Sequence, residues 1–395
     1  MVMETTDKNR ETGKTSKLLW IVVNTCRLLV SAIFVFSGLV KLIDPVGTQY
    51  KITDYAVAMN MGEWMPPLLS IILALTLAVV EFMIGINLFF GIRRRTTSLI
   101  TLLFLLIYTP LTLWLAISNA VSDCGCFGDA VHLSNWQTFW KNVLLLTFAF
   151  VIWWRGNLMT RFISELAQWT ISLFSTLYAL FIAGLCLWGE PIIDFRPYYI
   201  GQNIPTAMEW PEDQLQQPEI MDFDIGSQTD AILSDTSYTF LLISPHIEDA
   251  DDGNMNRINS LYDYARQYGY RFLCVTASGD EAIHRWQDLT GAEYPIDFAD
   301  ELLLKTIARS NPALLLLHDG TIIGKWGNNQ IPPEQTWVAP LHSLPQGHSH
   351  PDSHHQMLLR LLLWYLVPLA LFTFIDRFVF SLRWLLKRRR TAKNN

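Results

Sequence analysis

Six long apolar runs leave this chain few folds to choose from. They occupy residues 18–43, 67–92, 99–117, 136–154, 166–188 and 357 to about 380. A helix rising ~1.5 Å per residue needs about 20 apolar residues to cross ~30 Å of hydrocarbon, and most of the runs reach that length. The last is the most broken, because Arg360, Asp376 and Arg377 interrupt it. With 51% hydrophobic and only 16% charged residues in 395, the chain has more apolar sequence than one water-soluble core needs. An α-helical membrane protein is expected, with the lipid bilayer as its first partner.

Charge divides the chain more sharply than its net −7 suggests. Residues 190–356 hold 25 Asp/Glu against 8 Lys/Arg, a balance of −17, whereas the remainder holds 11 against 21. The basic residues gather in four places: Lys8, Arg10, Lys14 and Lys17; Arg93 to Arg95; Arg155 with Arg161; and Lys387 to Arg390. If six helices alternate across the membrane, all four clusters fall on one side. The positive-inside rule then places both termini in the cytoplasm and the acidic segment outside, on the periplasmic face of a bacterial inner membrane. A basic tail beside a membrane helix reads as a cytoplasmic anchor, not as a nucleic-acid site. The first run is too long for a signal-peptide core and lacks a small-residue cleavage site, so it is expected to stay as a helix.

The chain divides accordingly. Residues 1–17 form a cytoplasmic segment, 18–155 a four-helix membrane domain, and 156–189 an inner loop and fifth helix. Residues 190–235, rich in Pro, Asp, Glu and Gln, read as a linker with room for an extra strand or two. Within 236–340 the apolar pattern turns to that of a soluble α/β domain. Strands are predicted at 238–244, 271–276, 313–317 and 321–326, and helices at 255–268, 281–289 and 301–308, with Asp319-Gly320 as a hairpin turn. This order is that of a thioredoxin fold, in which Asn311-Pro312 is expected to be the cis bond before the third core strand, at Pro312. A His-rich linker (341–356, with His342, His348, His350, His354 and His355) precedes the sixth helix at 357–386 and a basic tail at 387–395. The irregular histidine spacing favours a solvated linker over a metal site.

The stretch most suited to chemistry is Asp123-Cys124-Gly125-Cys126-Phe127-Gly128-Asp129, between the third and fourth helices. Cysteines two apart reach the ~4.4–6.8 Å Cα separation a disulfide needs, and glycine lets the backbone turn between them. Redox cycling, a structural staple and two free thiols all remain open, while two thiolates are too few for a closed zinc site. Arg27 and Glu81 lie ~13 and ~16 Å deep when each helix is measured from the inner end of its apolar run, so a buried Arg27–Glu81 pair is expected. That pair could fix helix packing or serve a quinone or proton site. Lys41 and Asp44 fall at the outer end with the cysteines, where Lys41 could favour a thiolate or simply snorkel to the interface. Cys26 and Cys186 fall within helices and read as buried small hydrophobes.

Residues 18–154 resemble the DoxX-like and methylamine-utilisation MauE families. The resemblance is carried by Arg27, by the stretch from Phe36 to Pro45, by Glu81 with Gly85, and by the segment from Asp123 to Asp129. The whole chain resembles Bacteroidetes-type DoxX-like proteins fused to a thioredoxin-like domain. It implies a link to quinone-coupled sulfur oxidation or to maturation of disulfide-rich periplasmic partners, with Cys124 and Cys126 as the redox pair and Lys41, Asp44, Asp123 and Asp129 in support. The thioredoxin-like segment has Ser244-Pro245-His246-Ile247-Glu248 where a thioredoxin carries its two cysteines, and its single Cys274 falls in a core strand. The leading expectation is therefore a membrane thiol-disulfide oxidoreductase that passes electrons to a quinone or a neighbouring membrane protein. The alternative is a non-enzymatic envelope assembly factor whose redox-inactive domain holds a client.

Overall fold

The computed structural model describes residues 2–121, 123–211, 217–348 and 354–393 and divides the chain into two units, Met1–Ala183 with Arg360–Asn395, and Gly184–Leu359. In the first unit, helix α1 (Val2–Ile43) begins well before its apolar run, and α2 (Pro45–Ala58) follows at once. The Asp44 carboxylate makes that break possible by accepting the Gly47 amide at the start of α2, where Pro45 needs no amide partner. Helices α3 (Pro67–Phe90), α4 (Arg94–Ser118), α5 (Asn135–Trp154) and α6 (Ala167–Trp188) complete the run.

The α1–α3 contact is close because two glycines face it. A Cβ at Gly38 would lie 2.4 Å from the Phe82 amide nitrogen, and one at Gly85 would meet the Val35 backbone at 2.7 Å. These contacts fix the register: Gly38 lies opposite Phe82, and Gly91 lies beside Arg27.

Among the described residues, five helices are long and apolar enough to cross a membrane: Lys17–Ile43, Pro67–Phe90, Arg94–Ser118, Ala167–Trp188 and Gln356–Trp384. The chain is a multi-pass membrane protein. The expected fourth span forms as α5 and packs on α4 and α1, but Lys141, Asn142 and its polar first turn leave it outside that set.

The second unit is a mixed five-stranded sheet covered on both faces. Short helices α7 (Ile204–Met208) and α8 (Thr229–Leu233) precede β1 (Tyr238–Ser244), α9 (Met255–Tyr268), β2 (Arg271–Thr276), α10 (Asp280–Thr290), β3 (Ile296–Phe298), α11 (Glu301–Ile307), β4 (Ala313–His318) and β5 (Thr321–Gly327). The strand order is β3-β2-β1-β4-β5, with β1, β2 and β3 parallel and β4 and β5 antiparallel to their neighbours. Every residue of β1 is buried, because alternate side chains enter two cores. Phe240 and Leu242 meet Ile258, Leu261 and Trp286 of α9 and α10, while Leu241 and Ile243 meet Leu304 and Ile307 of α11. The Asn311–Pro312 peptide is cis, and the chain after Lys393 and the side chains of the basic tail lie outside the described residues.

Two sequence expectations change here. Residues 190–235 are not a linker: Tyr198, Ile204, Phe223, Ile225 and Ile232 are buried in the second core, so this segment closes one face of the sheet. It is anchored by buried charges, with Arg196 on Asp194 at 2.7 Å and on Glu190 at 3.2 Å, and Lys325 on Asp194 at 2.6 Å. Burial would push the Asp194 carboxyl up, but Lys325 and Arg196 together outweigh it and hold the group at about 2. The extra strand lies elsewhere, at β3. His342 and His348 sit in the turns after β5, while His350 and the side chains of His354 and His355 lie outside the described residues.

Cys274 in β2 is fully buried among Phe240, Phe272 and Tyr294, and burial pushes its thiol up to about 12. A thiol reacts as its thiolate. In the native protein at pH 7.5, Cys274 is expected to resist maleimide until denaturant is added; labelling within minutes without denaturant would contradict this burial.

Candidate functional site

The segment between α4 and α5 folds into a tight loop because several of its residues satisfy its own backbone. One Asp123 carboxylate oxygen accepts the Gly125 amide at 2.7 Å while the other pairs with Lys51 of α2 at 2.9 Å. Gly125 and Gly128 take left-handed conformations, φ +61° and +52°, that a side chain would disfavour. A disulfide joins Cys124 and Cys126, with a Cα separation of 5.4 Å, and both are buried. Asp129 sits half-buried in the short turn Gly128–Ala130. Ser122 lies outside the described residues.

The two cysteines meet different surroundings. Cys124 accepts the Cys126 amide on its sulfur at 3.1 Å, and its carbonyl accepts the Tyr55 hydroxyl at 3.1 Å. It borders a largely apolar cavity of about 320 Å³ walled by Met59, Met61, Met65, Leu77 and Leu111. Lys41, Lys51, Thr48, Tyr55 and Tyr108 supply the polar edge of that cavity. Cys126 instead turns to the bundle interior, where a cavity of about 30 Å³ is lined by Ser37, Glu81, Tyr108, Lys141 and Asn142 among others.

At Cys126 the structure corrects the expected charge pairing. Glu81 does not pair with Arg27; its carboxylate accepts the Lys41 ammonium at 2.8 Å, with Lys41 only 2% and Glu81 3% exposed. Lys41 donates to the Cys126 carbonyl at 2.7 Å, and the Ser37 hydroxyl lies 2.6 Å from both that carbonyl and Glu81. Arg27 donates to the Thr160 carbonyl and lies over the Phe162 ring at 4.7 Å, with Nε and one terminal nitrogen left without a partner. Measuring depth from the ends of the apolar runs misled the pairing, because α1 extends past the inner end of α3. Arg27 is level with Gly91, whereas Glu81 lies opposite Ser37 and Gly38, about three helical turns away. Nor does Lys41 snorkel to the interface.

Sequence reasoning gave Ser37 no role of its own within the resembling stretch and missed Lys51, Tyr55 and Lys141, the last over the Phe127 ring at 4.2 Å. Ser37 and Lys41 are four apart on α1, a spacing that puts both on one helix face and would have signalled a shared partner.

Arg27 belongs to a separate structural cluster. Asn24 donates to the Leu158 carbonyl and accepts the Thr160 amide, so Asn24 and Arg27 together fasten the α5–α6 connection to α1.

No curated protein and no solved structure matches this chain. Residues 17–155, about a third of the chain, match the family model of methylamine utilisation protein MauE. That match contains α2 to α5, the apolar run of α1 and the whole cysteine loop, so this part of the multi-pass protein is MauE-like.

Proposed function

We propose that the protein is a membrane thiol-disulfide oxidoreductase in which Cys124 and Cys126 cycle between disulfide and dithiol at the periplasmic face. The observation that carries this reading is the position of the disulfide, with an apolar cavity against Cys124 and a buried Lys41–Glu81 pair on the carbonyl of Cys126. A disulfide closed around a single glycine, with the Lys41 ammonium on one cysteine carbonyl and a cavity against the other cysteine, suits exchange better than a staple.

Cys124 is the sulfur that a client attacks. A client thiolate forms a bond to Cys124 as the Cys124–Cys126 bond breaks, and the electron pair goes to Cys126 as thiolate. The client's second thiol, deprotonated, then attacks the mixed disulfide, which leaves an oxidised client and two thiols on this chain. The two protons of the client dithiol end on Cys124 and Cys126. The amide of Cys126 donates to the Cys124 sulfur and helps it carry charge as leaving group in that second step. Lys41, Glu81 and Ser37 hold the backbone of Cys126 in place throughout.

The outer cavity fits the head of a lipid-soluble quinone: methionine and leucine walls suit an apolar ring, and Lys41, Lys51, Tyr55 and Tyr108 offer donors to its oxygens. Bound there, a quinone would take the two electrons and two protons released when the dithiol closes again. A neighbouring membrane protein is the other acceptor to consider. The direct test is the redox state of the pair in membranes by thiol trapping. A mixture that becomes reduced on quinone depletion supports the reading, and a pair oxidised under every condition supports a structural staple.

On this reading the bundle is DoxX-like as well as MauE-like, and the mixed-sheet unit is a periplasmic thioredoxin-like domain that positions clients. His246 near the cis Pro312 supports that role, since it occupies the turn where a catalytic thioredoxin has cysteine and is bonded to Glu301 at 3.0 Å. Orientation follows from the basic clusters, with both termini cytoplasmic. Reporter fusions at Arg94 and Trp154 are expected to be active in the cytoplasm, and those at Asp129 and Asp319 outside. A cytoplasmic Asp319 fusion would remove both the periplasmic site and the disulfide argument.

A further inference from the structure

The sheet unit carries an open groove of about 640 Å³ between residues 219–226 and the turn from β3 into α11. Five carboxylates line it: Glu219, Asp222, Asp224, Asp297 and Asp300. Among the described residues, no lysine or arginine forms an ion pair with any of them. Four have local duties, Glu219 accepting the Gln202 side-chain amide at 2.9 Å. Asp300 accepts the Leu302 and Leu303 amides at the start of α11, Asp224 accepts the Gly226 amide, and Asp297 accepts the Ser227 amide and hydroxyl. Those bonds explain where the carboxylates sit and leave their charge uncompensated.

Between the carboxylates lie large apolar side chains in the open. Met221 and Phe298 are each 63% exposed and Leu302 is 74% exposed, all bordering the same groove. Single exposed apolar residues are ordinary, but a cluster rimmed by one sign of charge marks an interaction surface. The unit's −17 balance repels phosphate-bearing surfaces such as anionic lipid or nucleic acid. It favours a cation. The sequence just before Glu219 brings no cation of its own, since residues 212–216 read Glu-Asp-Gln-Leu-Gln.

We propose that this groove binds an extended segment of another polypeptide in which lysine or arginine alternates with apolar side chains, the apolar groups meeting Met221, Phe298 and Leu302 and the cations meeting the carboxylate rim. The inference does not depend on the redox reading. It goes beyond that reading by giving the sheet unit a recognition surface of stated chemistry.

The probe is a short fluorescent peptide of alternating lysine and leucine, titrated against the full chain in nanodiscs of zwitterionic lipid, with empty nanodiscs subtracted. Saturable binding is expected, and it should weaken as salt rises from about 50 to about 500 mM. Phe298→Ser combined with Leu302→Ser should weaken it about tenfold, and both side chains are exposed enough to change without unfolding the unit. Asp222→Asn with Glu219→Gln should weaken it and flatten its salt dependence. Cys124→Ser should leave binding unchanged, which separates this outcome from any failure of the redox reading. Equal binding by the Phe298/Leu302 variant, or by a peptide with glutamate in place of lysine, would overturn the proposal. Competition by spermidine as effective as by the peptide would also overturn it, in favour of a site for small cations.

Discussion

Cys126→Ser is expected to leave Cys124 joined to its client in a mixed disulfide that survives denaturation and disappears on reduction. Cys124 borders the larger cavity, and its sulfur accepts the Cys126 amide, so it is the sulfur placed to meet another thiol. Cys126 faces the bundle interior, held by Lys41 and Ser37. In the Cys126→Ser variant the Cys124 thiolate attacks the disulfide of an oxidised client, the reverse of the oxidation step: the client's own S–S bond breaks, one client sulfur leaves as thiolate, and this chain has no second thiol to displace the one bound to Cys124. Cys124→Ser removes the point of attachment. Both variants should lose client oxidation down to the uncatalysed level, but only Cys126→Ser should accumulate the adduct. Cys274→Ala, altering a buried thiol in β2, should keep full activity. Activity at the normal level in the Cys124→Ser, Cys126→Ser double variant would end the redox reading and leave an assembly factor with an acidic recognition surface.

The second large effect concerns the bundle. Glu81→Ala strands the Lys41 ammonium in a site from which water is nearly excluded, and a broken buried pair costs about 3–5 kcal/mol. Against total stabilities of about 5–15 kcal/mol, that loss should sharply reduce the amount of folded protein recovered in detergent. Lys41→Met combined with Glu81→Leu removes both charges and should recover most of the folded protein, because a well-packed apolar pair often replaces a buried ion pair at little cost. Arg27→Ala combined with Glu81→Ala should recover nothing beyond the sum of the two single variants. The comparison is measured as monodisperse protein by size-exclusion chromatography together with thermal midpoint. Rescue by the Arg27 variant and none by the Lys41 variant would restore the pairing that the sequence first suggested.

That contrast shows where sequence reading reached and where it stopped. Run length and charge made the membrane helices legible, and the Asp-Cys-Gly-Cys segment identified the loop without any structure. The depth of Arg27 and Glu81 was computable, but their register was not. Register is set by Gly38 and Gly85, which let α1 and α3 touch at particular heights that no hydropathy window contains. In the sheet unit, β1, β2, β4 and β5 stood out as apolar runs. β3 did not, because it is three residues long with Asp297 in the middle and follows Pro295. The segment from 190 to 235 was misread because its Pro, Asp, Glu and Gln content conceals well-spaced apolar positions such as Ile204, Phe223 and Ile232. Those positions find a core only when the sheet face is already in place.

The smallness of the cysteine ring bears on what opening the disulfide would cost the molecule. A cross-link stabilises a protein mainly by restricting the unfolded chain, and the restriction grows with the length of loop enclosed. Closing a ring around a single intervening glycine restricts very little, under about 2 kcal/mol on the loop-entropy scale. The loop is instead pinned from outside the ring, by Tyr55 on one cysteine carbonyl and by Lys41 and Ser37 on the other. Those contacts do not involve sulfur, so opening the bond removes none of them directly. Oxidised and reduced forms should then melt within a few degrees of each other, leaving the bundle equally durable at both ends of the proposed exchange.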